Sequence, residues 1–262
     1  MTMLQALRRH PLPMRTRFGH SLVLTYALPA PVLAPLLPPG LTLDTYEGPH
    51  GSHGFVAIGI VSTQGLRPAP LPAALGIDAV LTGYRIFTRF PTPAGRTMRG
   101  LYILRSDTGR PALARAGNLL TRYRYHVGTV GLTVDGDVLT ATVDSRDGGA
   151  DLTVTADLAP ARDGTPAPLP AGSPFADATA ARRFAGPLPY TFDAEDGGIV
   201  VVKAHRSTWT PVPVAVRVTR CTFLERGPFE GTAPVLAQAF HVAGLDYGWH
   251  RGVRRALDGS AR

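Results

Sequence analysis

Glycine and proline punctuate this chain more densely than long regular elements tolerate. Of 262 residues, 29 are glycine and 25 are proline, about a fifth of the chain against a usual ~12%. A proline inside a helix removes a backbone hydrogen bond and clashes with the preceding turn. The count therefore argues against long helices, coiled coils and helical repeats, and predicts many short strands joined by ordered turns. Hydrophobic residues make up 44%, enough to build a full core.

The residue pattern places those strands. Residues 18–28, 41–46, 53–63, 79–90, 97–106 and 122–132 each read as a strand, rich in β-branched and aromatic residues or alternating in polarity. Asp135-Gly136 and Asp147-Gly148-Gly149 are turn signals within a following meander. Further strands are expected at 188–192, 198–204 and 209–224. Short helices are expected at 30–37, at 111–120, from a Ser173 cap with Pro174 at the first position through Phe184, and at 232–241. Residues 253–262 read as a polar tail. Adjacent hairpins with few helices predict an α+β, mostly antiparallel, barrel-like fold. No linker divides it, so one domain is expected over residues 15–250, with polar terminal segments at 1–14 and 251–262.

The formal charge is +8, yet the arginines are scattered and no basic stripe interleaved with aromatics appears. Nucleic acid is not expected as a partner. Among the 27 Lys and Arg residues only Lys203 is lysine, so the high pI reads as a bias toward arginine. Cys221 is the single cysteine. It excludes an intrachain disulfide, suits a reducing cytoplasm and reads as a small buried hydrophobe. Residues 22–41 carry no charge, but five prolines would break a membrane-spanning helix. No apolar segment follows the N-terminal arginines as a signal peptide requires. A cytoplasmic protein without a membrane partner is expected.

Several constellations invite a chemical reading. Asp44, Glu47, His50 and His53 recur every third residue, but Gly48, Pro49 and Gly51 forbid the helix that would gather them. A turn is the better reading, and no metal or cofactor is expected. Tyr84-Arg85-Ile86-Phe87 faces Leu101-Tyr102-Ile103-Leu104-Arg105 across a hairpin, and Tyr123-Arg124-Tyr125 follows. An arginine aimed into a barrel would clamp a carboxylate with its two-pronged fork, although arginines more often line an outer face. Lys203 shares a strand face with Ile199 and Val201. Buried there it could form a Schiff base; at a solvated edge it could not. His205, near Trp209, could serve as a general base or simply pack.

Tyr26 followed by Leu33-x-x-Leu36-Leu37-Pro38-Pro39-Gly40-Leu41-x-Leu43-Asp44 resembles the opening of the YqjF-like bacterial family. That family is a domain of unknown function within the acetoacetate decarboxylase-like superfamily. The resemblance runs from about residue 17 to 224, through Arg85, Gly100-Leu101-Tyr102, Tyr123, His205 and Trp209. It implies a curved pseudo-barrel sheet with a few short helices around a central cavity. In decarboxylating members a lysine pair works inside that cavity. The corresponding segment here, Gly100 to Arg105, contains no lysine, so that chemistry is not carried over. The expected function is binding of a small, anionic organic molecule. Arg85, Tyr102, Arg105, Tyr123 and Trp209 are the ligand-binding candidates, and His205 is the acid–base group. Two alternatives stand beside it: a lyase using Lys203, and a non-enzymatic structural or interaction module. A homo-oligomer is left open.

Overall fold

A computed structural model describes residues 6–49, 51–92, 95–186 and 188–257. Fifteen strands join one sheet. In chain order they are β1 (Met14–Pro29), β2 (Thr42–Leu43), β3 (Tyr46–Gly48), β4 (Gly51–Pro68), β5 (Ile77–Pro91), β6 (Thr97–Thr108), β7 (Tyr125–Asp135), β8 (Val138–Ser145), β9 (Leu152–Asp157), β10 (Tyr190–Glu195), β11 (Gly198–Arg206), β12 (Val212–Pro213), β13 (Ala215–Cys221), β14 (Val235–Trp249) and β15 (Val253–Ala256).

The pairings return on themselves. β6 pairs with β10, β10 with β11, β11 with β14, β14 with β1, β1 with β4, β4 with β5, and β5 with β6. This circuit encloses a lumen, and alternation assigns each side chain to the lumen or to the outside. Leu22, Leu24, Val56, Ile58, Ile60, Tyr84 and Ile86 pack in one cluster with Leu139, Ala141, Val143, Leu152 and Val154. That face looks outward onto a second layer, β7-β8-β9-β13. The alternate residues of the same strands look inward. At one end Ala27, Phe55, Ala57 and Phe87 pack with Phe175, Ala181 and Ala185 at the Ala178–Ala185 helix. At the other, Phe18, Val61, Leu66, Leu81, Phe240, Val242 and Leu245 form a separate inner cluster. Each such large apolar side chain contributes roughly 1.5–3 kcal/mol by leaving water.

The short helices at Ala30–Leu33 and Pro111–Leu120 stand where the sequence places them. Three expectations are corrected. Residues 232–241 are not a helix. From Val235 the chain is strand β14, which pairs along its length with β1, and that tertiary pairing overrides the helical propensity of its alanines. The cap of the third expected helix is Asp177, whose Oδ1 accepts the Ala180 N–H at 2.7 Å. Ser173 instead donates to the Ala237 carbonyl. The supposed polar tail contains β15, which pairs with β11; its residues beyond 257 lie outside the described residues.

Candidate functional site

β5 carries Leu81, Gly83, Arg85 and Phe87 on its inner face. Gly83 lies directly across from Gly59 of β4, and this pair makes a floor without side chains. The Arg85 guanidinium lies on it. A Cβ at Gly83 would stand 2.6 Å from Arg85 Nε and 2.7 Å from Nη2; one at Gly59 would stand 3.3 Å from Nη1. The side chain is thus folded back along β5 toward Leu81. Among the described residues no carboxylate pairs with Arg85. The phenols of Tyr247, Tyr125 and Tyr123 stand around it, and burial pulls its pKa down. The same burial, with Asp193 and the neighbouring phenols, pushes the Tyr123 hydroxyl up. That hydroxyl is buried with no hydrogen-bond partner.

The loop that delivers Tyr123 is pinned from two sides. Asp193 Oδ2 accepts the Arg122 N–H at 3.1 Å and its Oδ1 accepts the Ala194 N–H at 2.9 Å. Burial nevertheless pushes the Asp193 carboxyl up to about 6. Arg124 stands in the left-handed region at φ 54°, held by its Nη2 donating to the Tyr102 hydroxyl at 2.8 Å. Next to Tyr123 stands His10, also left-handed at φ 54°. Its N–H donates to Leu120 O and its carbonyl accepts from Gly252 N–H. Its ring centroid is 6.2 Å from that of Tyr123. Nδ1 is buried without a hydrogen bond; burial lowers the ring's pKa, and the His10 and Leu12 carbonyls offset part of that.

The expected site residues divide by face. Arg85 and Tyr123 come together in the lumen. Trp209 packs against the inner cluster of Phe18 and Leu245, edge-on to Phe240, with its indole N–H buried and unpartnered. Tyr102 pairs with Ile86, not with Arg85. It therefore points outward, into a cluster with Phe90, Phe192 and Val201. Arg105 pairs with Tyr84 on that same outer face, where Asp107 and Asp147 hold it at 2.8 and 2.7 Å; it has no free fork for a ligand. Lys203 and His205 share the outward parity of Ile199 and Val201, and both are exposed. The burial that a Schiff-base lysine needs is absent. His205 rests against His250, with ring centroids 5.1 Å apart. Asp44, from the third-residue repeat, is fully buried between Arg89 and Arg99, His50 lies outside the described residues, and no group of three metal-ligating side chains is found among those described.

A mostly antiparallel sheet with few short helices is the architecture of the acetoacetate decarboxylase-like fold, and solved structures share it. The acetoacetate decarboxylase of Legionella pneumophila superposes with a TM-score of 0.60 at 13% identity, covering 94% of this chain and 88% of that one. The enduracididine biosynthesis enzyme MppR, complexed with the condensation product of pyruvate and imidazole 4-carboxaldehyde, gives 0.59 at 14%, covering 94% and 90%. An acetoacetate decarboxylase-like enzyme from Sphingomonas wittichii RW1 gives 0.56 at 12%, covering 94% and 92%. At these identities the likeness is one of fold. Residues 15–244 match the model of DUF2071, an uncharacterized conserved protein, and the chain belongs to that family. No curated protein matches. No helix among the described residues is long and apolar enough to cross a membrane.

Proposed function

We propose that this protein binds a small organic carboxylate in the lumen of the ring, with Arg85 as the clamp and the Tyr123, Tyr125 and Tyr247 hydroxyls around it. The observation that carries this reading is an inward guanidinium with no acidic partner among the described residues. A half-buried charge without a counter-ion is costly, and a ligand carboxylate would supply one. A guanidinium fork matches the two oxygens of a carboxylate. A lyase working through Lys203 draws no support from an amine on the exposed outer face.

The experiment is a thermal-shift titration of wild type and Arg85→Met with a series of carboxylates, beginning with acetate, propionate and benzoate. Wild type gains stability with ligand by mass action. Arg85→Met is at least as stable as unliganded wild type, because it removes an uncompensated charge, and it no longer responds to any of the acids. Equal responses from the two proteins would sink the proposal.

A further inference from the structure

Beside the arginine lies a space that the carboxylate reading does not use. A cavity of about 130 Å³ opens between the ring and the Pro111–Leu120 helix, walled mainly by Met14, Leu66, Leu81, Leu113, Leu120 and Trp249. A single water needs only roughly 10–15 Å³ measured this way, and a dry apolar cavity of about 150 Å³ accepts a benzene ring. Tyr123 and Tyr125 line this cavity and also lie within electrostatic reach of Arg85. The guanidinium lies over Gly83, and Leu81, the next inward residue of β5, is a cavity wall about 7 Å farther along the strand. The cavity meets the surface at Ala116 and Leu12, both exposed.

We infer that the ligand is an amphipathic monocarboxylate, its head on Arg85 and an apolar tail of about phenyl size in this cavity. The inference rests on the carboxylate reading above. One half-buried cation without an acidic partner calls for one negative charge. The walls beyond Tyr123 and Tyr125 offer few hydrogen-bonding groups, so a second charge or a strongly polar tail would lie there unpaired.

The test is isothermal titration with acetate, 3-phenylpropionate and the uncharged 3-phenylpropan-1-ol, on wild type, Arg85→Met and Ala116→Leu. Position 116 is an exposed helix site where leucine is well tolerated, and thermal unfolding checks that the fold is kept. Wild type is expected to bind 3-phenylpropionate at least ~10-fold tighter than acetate, since the tail leaves water. Ala116→Leu fills the cavity mouth and cuts 3-phenylpropionate affinity by at least ~10-fold while acetate binding is unchanged. Arg85→Met loses both acids, and the alcohol binds wild type weakly. If acetate and 3-phenylpropionate bind wild type equally, or Ala116→Leu weakens both equally, the tail assignment falls and the carboxylate clamp stands. If neither acid binds, or Arg85→Met binds them as wild type does, the clamp itself falls, and the tail assignment with it.

Discussion

Replacing Gly83 with alanine should weaken carboxylate binding by roughly 10- to 150-fold while leaving the fold intact. The new methyl carbon would stand 2.6 Å from Arg85 Nε, 2.7 Å from Nη2 and 3.0 Å from Cζ. Ordinary contact begins near 3.4 Å, so the guanidinium must rise by most of an ångström or swing off its floor. Either motion breaks the paired geometry on which a bidentate carboxylate contact depends. A hydrogen bond to a charged group is worth about 1.5–3 kcal/mol, which converts to about 10- to 150-fold in affinity. The backbone offers no objection, because Gly83 has no left-handed φ and alanine is less costly than glycine inside a strand. Gly59→Ala is the graded control, since its methyl would meet Arg85 at 3.3–3.5 Å and a few tenths of an ångström relieve it. The assay is titration of both variants with the carboxylate that binds wild type best, alongside thermal unfolding. Wild-type affinity in a folded Gly83→Ala protein would refute the claim that this floor positions the clamp.

Three further perturbations follow from the site's surroundings. His10→Asn keeps a residue type that tolerates the left-handed backbone and should cost less than about 1 kcal/mol, whereas His10→Val, β-branched at φ 54°, should cost about 2 kcal/mol or more in urea unfolding. The Asp193 carboxyl, held up at about 6 against 3.8, makes the folded state bind protons more tightly than the unfolded one. Stability from this group is present below about pH 4 and falls by about 3 kcal/mol as pH rises to 6; Asp193→Asn should abolish that slope in a series of unfolding curves. His241 runs the opposite way. Burial and its contact with His20, whose Nδ1 lies 3.0 Å from Nε2 of His241, depress it to about 4. That contribution is present above pH 6.5 and is lost, by about 3 kcal/mol, as pH falls to 4. His241→Gln should therefore move the pH of maximum stability down and Asp193→Asn should move it up; a shared direction would show that one of the two groups is misassigned.

Strand content was legible because it is local. The 79–90 and 97–106 runs alternate and carry β-branched and aromatic residues, and both form strands of the ring. The Asp135-Gly136 turn joins β7 to β8, with Gly136 at φ 56°. Residues 232–241 misled because an alanine-containing stretch carries helical propensity, and only β1, some 210 positions away, supplies the pairing that makes it a strand. The same distance hid Tyr247, which faces Arg85 only once β14 closes the ring. Alternation along β5 sets Arg85, Phe87 and Arg89 on one face and Tyr84, Ile86 and Thr88 on the other. What alternation cannot reveal is which face turns inward. That is decided by the second layer, β7-β8-β9-β13, which covers Tyr84 and Ile86 and leaves the lumen to Arg85.

The same argument explains why four attractive side chains fall outside the site. Tyr102, Arg105, Lys203 and His205 share the outward parity, through Tyr84 and Ile86 in the pairing of β5 with β6 and through Ile199 and Val201 in β11. Moving any of them inward would require slipping a strand by one residue, and that would turn the buried residues of the same strand to the wrong side. For β11 the slip would exchange Val200 and Val202 with Ile199 and Val201, all four of them buried, so apolar pattern alone does not fix its register. It is fixed by neighbours: Phe192 opposite Val201 and Tyr102 locks the outward cluster. Lys203, two residues beyond Val201, then has no route to the lumen. The chain's single lysine is therefore placed by aromatic packing, and the guanidinium on the inner face of β5 is a group suited to holding an anion rather than to forming an imine.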